Sequence, residues 1–153
     1  MATPRLSRRG VLVLLAALPL ASTVPAGAAP MVQVFKNPSC SCCTGWADHL
    51  KAAGFSVKVT EVDDTAPVRK RLGIPEQMGS CHTATVDGYA LEGHVPAAEV
   101  KRLLKTRPSA IGLAVPGMPM GSPGMETGGA ADRYEVLLVD RAGGSAVFAR
   151  YPK

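Results

Sequence analysis

Aromatic side chains are scarce in this sequence, and it shows no extended basic stripe with interleaved aromatics. Only 5% of the 153 residues are aromatic. Surfaces that bind nucleic acid carry a clustered basic patch, and those that bind single strands add stacking aromatics. The short basic run at residues 69–71 is typical of a solvated helix face. The composition therefore predicts no nucleic-acid partner.

Apolar runs long enough to cross a membrane are also missing. A spanning helix needs about 20 apolar residues, and the apolar stretch at residues 11–21 is shorter. Three arginines precede this stretch, and Ala26-Gly27-Ala28 follows it in the pattern of a signal peptidase site. We therefore expect residues 1–28 to be a cleaved export signal, of the Sec type or, from Ser7-Arg8-Arg9, of the twin-arginine type. An uncleaved membrane anchor is the alternative.

Cleavage leaves residues 29–153, which suffice for one domain. It removes three arginines and no acid, so the net charge falls from +5 to +2. A bacterial-type export signal predicts a periplasmic protein with no stable membrane insertion after cleavage. Because that compartment is oxidising, a framework of structural disulfides is one interpretation of the four cysteines.

The spacing of apolar residues predicts a mixed α/β domain. The predicted strands cover residues 32–36, 56–62, 83–86, 89–92, 134–139 and 145–149, the helices 44–53, 67–72 and 96–105, and an irregular loop 112–129. Asp87-Gly88 supplies the tight turn of the first hairpin. This order is that of the thioredoxin-like folds, a mixed sheet with flanking helices, here with a C-terminal hairpin. Such folds place reactive thiols at the first strand–helix junction, an analogy that does not by itself give function.

Three of the four cysteines, Cys40, Cys42 and Cys43, lie at the entry of the first predicted helix. The free N–H groups and the dipole of a helix N-terminus stabilise thiolates, which are nucleophiles and soft-metal ligands. Disulfide exchange needs only two thiols at Cys-x-x-Cys spacing, which Cys40 and Cys43 have. The additional thiol of Cys42 favours bridging between Cu(I) ions.

The segment before the third predicted strand departs from the thioredoxin-like pattern. In those folds it faces the helix-entry thiols and normally carries a cis-proline. This chain has no proline between Pro75 and Pro96, and Cys81 and His82 stand about where the proline would be. The departure weakens the oxidoreductase interpretation and supplies a fourth and a fifth metal ligand.

The two remaining histidines are weaker candidates. His49 lies seven residues after Cys42, a rise of about 10 Å along a helix, whereas a metal–nitrogen bond is about 2 Å. We therefore expect His49 to be a surface or core residue. His94 lies at a strand-to-helix turn, where a hydrogen bond at the helix entry is the simpler interpretation and a metal ligand the alternative.

Three methionines, Met118, Met120 and Met125, lie in the Gly- and Pro-rich loop. A methionine in an irregular loop buries little apolar surface, so core packing explains these residues poorly. Thioether sulfur is a soft ligand for Cu(I). The alternative is that the loop is a lid over the site, since methionine also fills gaps.

Taken together, four motifs resemble the CopG-like periplasmic copper-resistance family, long catalogued as a domain of unknown function. They are Cys40-x-Cys42-Cys43, Cys81-His82, Glu92-Gly93-His94-Val95-Pro96, and residues 117–126, Gly-Met-Pro-Met-Gly-Ser-Pro-Gly-Met-Glu. The resemblance covers nearly all of the expected mature chain. It implies a thioredoxin-like metal-binding domain that handles copper outside the cytoplasm, with the cysteines of the first two motifs as copper ligands.

The sequence thus predicts a periplasmic protein that holds one or several Cu(I) ions and acts in copper sequestration, tolerance or redox handling. The expected ligands are the four cysteines and His82, with His94 and the three methionines as secondary candidates. Other periplasmic copper-handling proteins are the expected partners. Two alternatives stay open: a thiol–disulfide oxidoreductase that uses Cys40 and Cys43, and a disulfide-stabilised interaction domain.

Overall fold

The computed structural model describes residues 29–153, so the predicted export signal at residues 1–28 lies outside the described residues. The described part forms one seven-stranded mixed sheet with three α-helices and a short 3-10 helix at Glu76–Met78. The strands are β1 (Met31–Lys36), β2 (Ser56–Glu61), β3 (His82–Val86), β4 (Tyr89–Glu92), β5 (Gly112–Ala114), β6 (Tyr134–Val139) and β7 (Ser145–Tyr151). The helices are α1 (Ser41–Ala52), α2 (Ala66–Arg71) and α3 (Ala97–Thr106). No helix within residues 29–153 combines the length and the apolar character needed to span a membrane.

The strand order across the sheet is β2-β1-β3-β4-β5-β6-β7. The β1/β2 and β4/β5 pairs are parallel, and the other neighbouring strands are antiparallel. The predicted α/β class, mixed sheet and C-terminal hairpin are therefore confirmed. Asp87 and Gly88 both have positive φ, as the predicted tight turn between β3 and β4 requires.

The prediction of an irregular loop over residues 112–129 is wrong at its start, where residues 112–114 form β5, an interior strand of the sheet. Glycine favoured the loop interpretation, but Gly112 serves a close approach between strands. A Cβ built there would lie 1.8 Å from the carbonyl oxygen of Ala90 on β4. Only glycine fits so close to a neighbouring backbone.

One face of the sheet packs against α1 and α3 in the main core. Trp46 and Leu50 of α1 and Val100 and Leu103 of α3 are fully buried in this cluster. The spacing of four residues in α1 and of three in α3 places each pair of side chains on one face of its helix. This packing holds the first turn of α1 against the sheet edge where β1 ends and β3 begins.

Candidate metal centre

The pairing of β1 with β3 brings the two cysteine motifs together. Lys36, the last residue of β1, pairs with His82, the first residue of β3. The chain leaving β1 and the chain entering β3 therefore lie side by side at one edge of the sheet. Cys40 is the N-cap of α1, and Cys42 and Cys43 lie in its first turn. Cys81 faces them across the gap, as the sequence predicts.

The four cysteine sulfurs form a compact cluster in which all Sγ atoms lie within 4.8 Å of one another. Cys81 Sγ is 3.5 Å from Cys43 Sγ and 3.9 Å from Cys42 Sγ. Cys42 Sγ is 3.3 Å from Cys40 Sγ. Sulfur donors at these separations can ligate a single soft ion or bridge several.

Cys40 and Cys43 are joined by a disulfide, whereas Cys42 and Cys81 are not disulfide-bonded. The structure therefore represents an oxidised form in which two of the four sulfurs are unavailable as thiolates. The bond spans only three residues of sequence. A disulfide stabilises a protein chiefly by constraining the unfolded chain, and this effect is smaller for short loops. The Cys40–Cys43 bond is therefore expected to add little to the stability of the fold.

His94 is oriented toward Cys81 by the methionine loop, which we define as residues 117–126. Its Nδ1–H donates to the carbonyl oxygen of Pro123 at 2.8 Å, and Nε2 lies 3.1 Å from Cys81 Sγ. Burial lowers the pKa of His94, so the ring is neutral and Nε2 presents its lone pair to the sulfur. Metal-binding histidines are commonly fixed in this way by a carbonyl on the other ring nitrogen.

The expected hydrogen bond at the entry of α3 is made by a different histidine. His49, the residue predicted to be a surface or core histidine, is half-buried, and its Nε2 accepts the backbone N–H of Ala97 at 3.0 Å. Within residues 29–153, His94 makes no such bond. Sequence spacing therefore assigned the helix-entry role to the wrong histidine, because the packing of α1 against α3 is not visible in the local pattern.

His82 is fully buried between Trp46 and His94, with ring centroids 4.3 and 4.9 Å away. Burial, and then the neighbouring His94, lower the pKa of His82 to about 3. Nδ1 lies 3.4 Å from Cys81 Sγ. Nε2 is the single buried side-chain nitrogen or oxygen among the described residues that lacks a hydrogen-bond partner. His82 thus contacts Cys81, the sulfur shared by both metal-capable groups of residues.

Cys81 differs from the helix-entry thiols that sequence reasoning expects to be acidic. Burial, followed by the nearby Cys42, raises the pKa of Cys81 to about 12. Its thiol is therefore protonated at neutral pH and can donate to Nε2 of His94. A metal ion that binds this sulfur has to displace the proton, so binding there would be coupled to proton release.

The methionine loop is seated on α1 by close backbone contact. A Cβ built at Gly124 would lie 2.5 Å from the carbonyl oxygen of Cys42 and 2.6 Å from the amide nitrogen of Trp46. Met118 is 52% exposed, and Met120 and Met125 are half-buried. The loop therefore lies against the cysteine cluster, while the role of its thioethers stays a prediction.

Glu92 is a site-adjacent residue that sequence reasoning named only as part of a motif. Its carboxylate is fully buried and accepts hydrogen bonds from the Ser80 N–H, the Thr83 hydroxyl and the Arg69 guanidinium. Burial raises the pKa of Glu92, and these partners oppose the shift. Its only sequence signal was its place in the run Glu92-Gly93-His94.

These features define a mixed α/β domain with a thiol and imidazole site that could hold a soft metal ion. Residues 78–125 match the family model described as "Protein of unknown function, DUF411". The chain is similar to two solved structures titled "Copper resistance protein copG- Form 2" and "Copper resistance protein copG- Form 1", both 46% identical, with TM-scores of 0.77 and 0.76. The alignments cover 81% and 80% of this chain and 99% and 98% of those chains. No curated protein sequence matches. The chain belongs to the CopG copper-resistance family.

Proposed function

We propose that this protein binds Cu(I) through Cys40, Cys42, Cys43 and Cys81 and acts in copper tolerance by sequestration or redox handling. The observation that carries the proposal is the cluster of four Sγ atoms within 4.8 Å of one another. Thiolate sulfur selects soft ions such as Cu(I). The two similar structures are named as copper resistance proteins, which supports the same metal.

Of the two nearby imidazoles, His94 is the better presented ligand. Its Nδ1–H is satisfied by Pro123, which leaves Nε2 directed at Cys81. His82 packs between Trp46 and His94 with Nδ1 3.4 Å from the same sulfur, so it can assist by orienting Cys81 or by ligation through Nδ1. The sequence ranks His82 above His94, and the contacts favour the reverse order.

Copper capacity should depend on the oxidation state of the Cys40–Cys43 pair. With the disulfide formed, only Cys42 and Cys81 are thiols, whereas reduction supplies two further thiolates. We expect the reduced protein to bind more Cu(I) per chain, and more tightly, than the oxidised protein. Anaerobic titration with a chromophoric Cu(I) chelator measures both quantities. If neither form competes with the chelator, the copper proposal is wrong.

The methionine thioethers form a second tier of proposed ligands. Replacing Met118, Met120 and Met125 together with leucine keeps their bulk and removes the sulfur. If the thioethers bind copper, Cu(I) affinity falls by about tenfold, a typical size for loss of a supporting metal contact, while thermal stability is retained. Unchanged affinity in the same competition assay would leave the loop with its structural role alone.

A thiol–disulfide oxidoreductase is the second candidate function. The Cys40–Cys43 disulfide at the N-terminus of α1 favours it, because redox-active pairs have this spacing and position. The oxidoreductase interpretation leaves the sulfurs of Cys42 and Cys81 without a role. The third interpretation, a disulfide-stabilised interaction domain, is weakened because the bond closes so short a loop.

The finer fold assignment and the cellular location are also proposals. The β1-α1-β2 unit, followed by the antiparallel β3/β4 pair and α3, supports a thioredoxin-like fold. Periplasmic location rests on the predicted export signal at residues 1–28. N-terminal sequencing of the protein recovered from the periplasm is expected to begin at Ala29. A chain that remains in the membrane fraction and starts near Met1 would instead indicate an anchor.

A further inference from the structure

The residues on either side of the Cys81-His82 pair are hydrogen-bonded to one buried carboxylate, that of Glu92. Glu92 Oε1 accepts the backbone N–H of Ser80 at 2.7 Å, and Oε2 accepts the hydroxyl of Thr83 at 2.6 Å. Ser80 precedes the pair and Thr83 follows it. Because both anchors end on the same side chain, the position of Cys81 depends on that carboxylate.

The carboxylate is itself held by a basic side chain on α2. Arg69 on α2 donates from Nε to Glu92 Oε1 at 3.0 Å, and its side chain is only 12% exposed. Charge-assisted hydrogen bonds of this kind are stronger than neutral ones. Arg69 also balances a charge that is otherwise costly to bury.

The backbone around Glu92 continues the same support. Gly93 donates its N–H to the carbonyl oxygen of His82 at 3.0 Å. A Cβ at Gly93 would lie 2.6 Å from Ser80 Oγ, so glycine is what allows Ser80 to approach. Ser80 in turn donates its hydroxyl to the carbonyl oxygen of Gly117, at the start of the methionine loop.

We propose that Glu92 is a positioning residue for the metal centre, acting through Ser80 and Thr83 to hold the Cys81 sulfur against the helix-entry cysteines. Thioredoxin-like folds have a proline at this place. Here the hydrogen bonds of Glu92 would fix the backbone that a rigid proline fixes in those folds. The inference rests on the proposed copper function for its consequence, but the positioning itself can be tested without metal.

The chain offers a matched control for this residue. Glu99 on α3 is 2% exposed, accepts from Tyr151 and Lys153 at 2.8 Å each, and pairs with Arg102. Replacement of either glutamate by glutamine removes one carboxylate that is shielded from solvent and paired with a basic side chain. Only Glu92 contacts the residues that flank Cys81.

The experiment measures the iodoacetamide alkylation rates of Cys81 and Cys42 in the reduced, metal-free full chain, together with Cu(I) affinity. In Glu92→Gln we expect the Cys81-to-Cys42 rate ratio to change by about fivefold or more and Cu(I) affinity to fall by about tenfold, in the range seen when outer partners of a metal site are lost. Glu99→Gln should leave both at wild-type values even if its melting temperature falls equally. Thr83→Val, which removes one anchor and keeps the shape, should change both in the same direction.

The behaviour of these variants decides whether Glu92 positions Cys81. A wild-type ratio and affinity in a folded Glu92→Gln protein would overturn it, since the residue would then be merely structural. If that variant does not fold, an unchanged ratio in Thr83→Val overturns it equally. A changed ratio in a protein whose wild type binds no Cu(I) would support positioning and reject the copper function.

Discussion

Replacing Cys81 with serine is expected to remove most of the Cu(I) affinity, although Cys81 lies 38 positions after the nearest cysteine in the sequence. Its sulfur lies within 3.9 Å of both Cys42 and Cys43 and 3.1 Å from His94 Nε2. Serine keeps the shape but offers a hard oxygen that Cu(I) disfavours. We expect a loss of at least about a hundredfold, since loss of outer partners alone costs about 10–100-fold. Competition with a Cu(I) chelator measures the loss.

Cys81→Ser, together with Cys42→Ser, also distinguishes copper binding from thiol exchange. Cys42→Ser should weaken Cu(I) binding strongly, because a sulfur near both Cys40 and Cys81 is lost. An exchange mechanism through Cys40 and Cys43 needs neither Cys42 nor Cys81. Ser41→Ala, an exposed position inside the same motif, is the matched control and should keep full affinity. Full copper retention in both cysteine variants, with strong disulfide reductase activity, would promote the exchange function.

Replacing Gly124 with alanine is expected to separate the methionine loop from α1. Its φ of +85° already disfavours a side chain, and the new Cβ would overlap the backbone of Cys42 and Trp46 at 2.5 and 2.6 Å. We expect a loss of about 2–4 kcal/mol in the free energy of unfolding from positive φ together with overlap. The displaced loop would also take the Pro123 carbonyl away from His94, so Cu(I) affinity should fall.

Gly128 provides the control for that substitution. It has a similar φ of +77°, and nothing lies within 4 Å of a Cβ built there. Gly128→Ala therefore adds only the conformational cost, about 1 kcal/mol. Urea unfolding and Cu(I) competition would be compared for the two variants. Equal effects at both positions would show that the contact between loop and helix has no role in the site.

Much of the fold follows from local pattern. The Asp-Gly turn, the apolar spacing of α1 and α3, and the C-terminal hairpin are each encoded within a few residues. β5 was missed because Gly112 favours a loop locally, and its reason for being glycine is a strand partner more than twenty residues earlier. The formation of β5 therefore depends on a contact with β4, a distant part of the chain, which a local sequence pattern does not contain.

The site divides in the same way. The cysteines can be recognised from the sequence by their chemistry and close spacing, and the strand–helix order predicts that Cys81 lies close to the entry of α1. The orientation of His94 depends on the carbonyl of Pro123, and the proposed position of Cys81 depends on the carboxylate of Glu92. Both partners are residues whose type gives little indication of a role, so only the assembled structure shows them.

The measurement that tests the central claim most directly is a joint count of copper and of free thiols on protein isolated from copper-grown cells. We expect copper to copurify with the chain and Cys40, Cys42, Cys43 and Cys81 to become alkylatable only after the copper is removed by a chelator. A metal-free protein with two free thiols and an intact Cys40–Cys43 disulfide, unchanged by copper in the growth medium, would contradict the account.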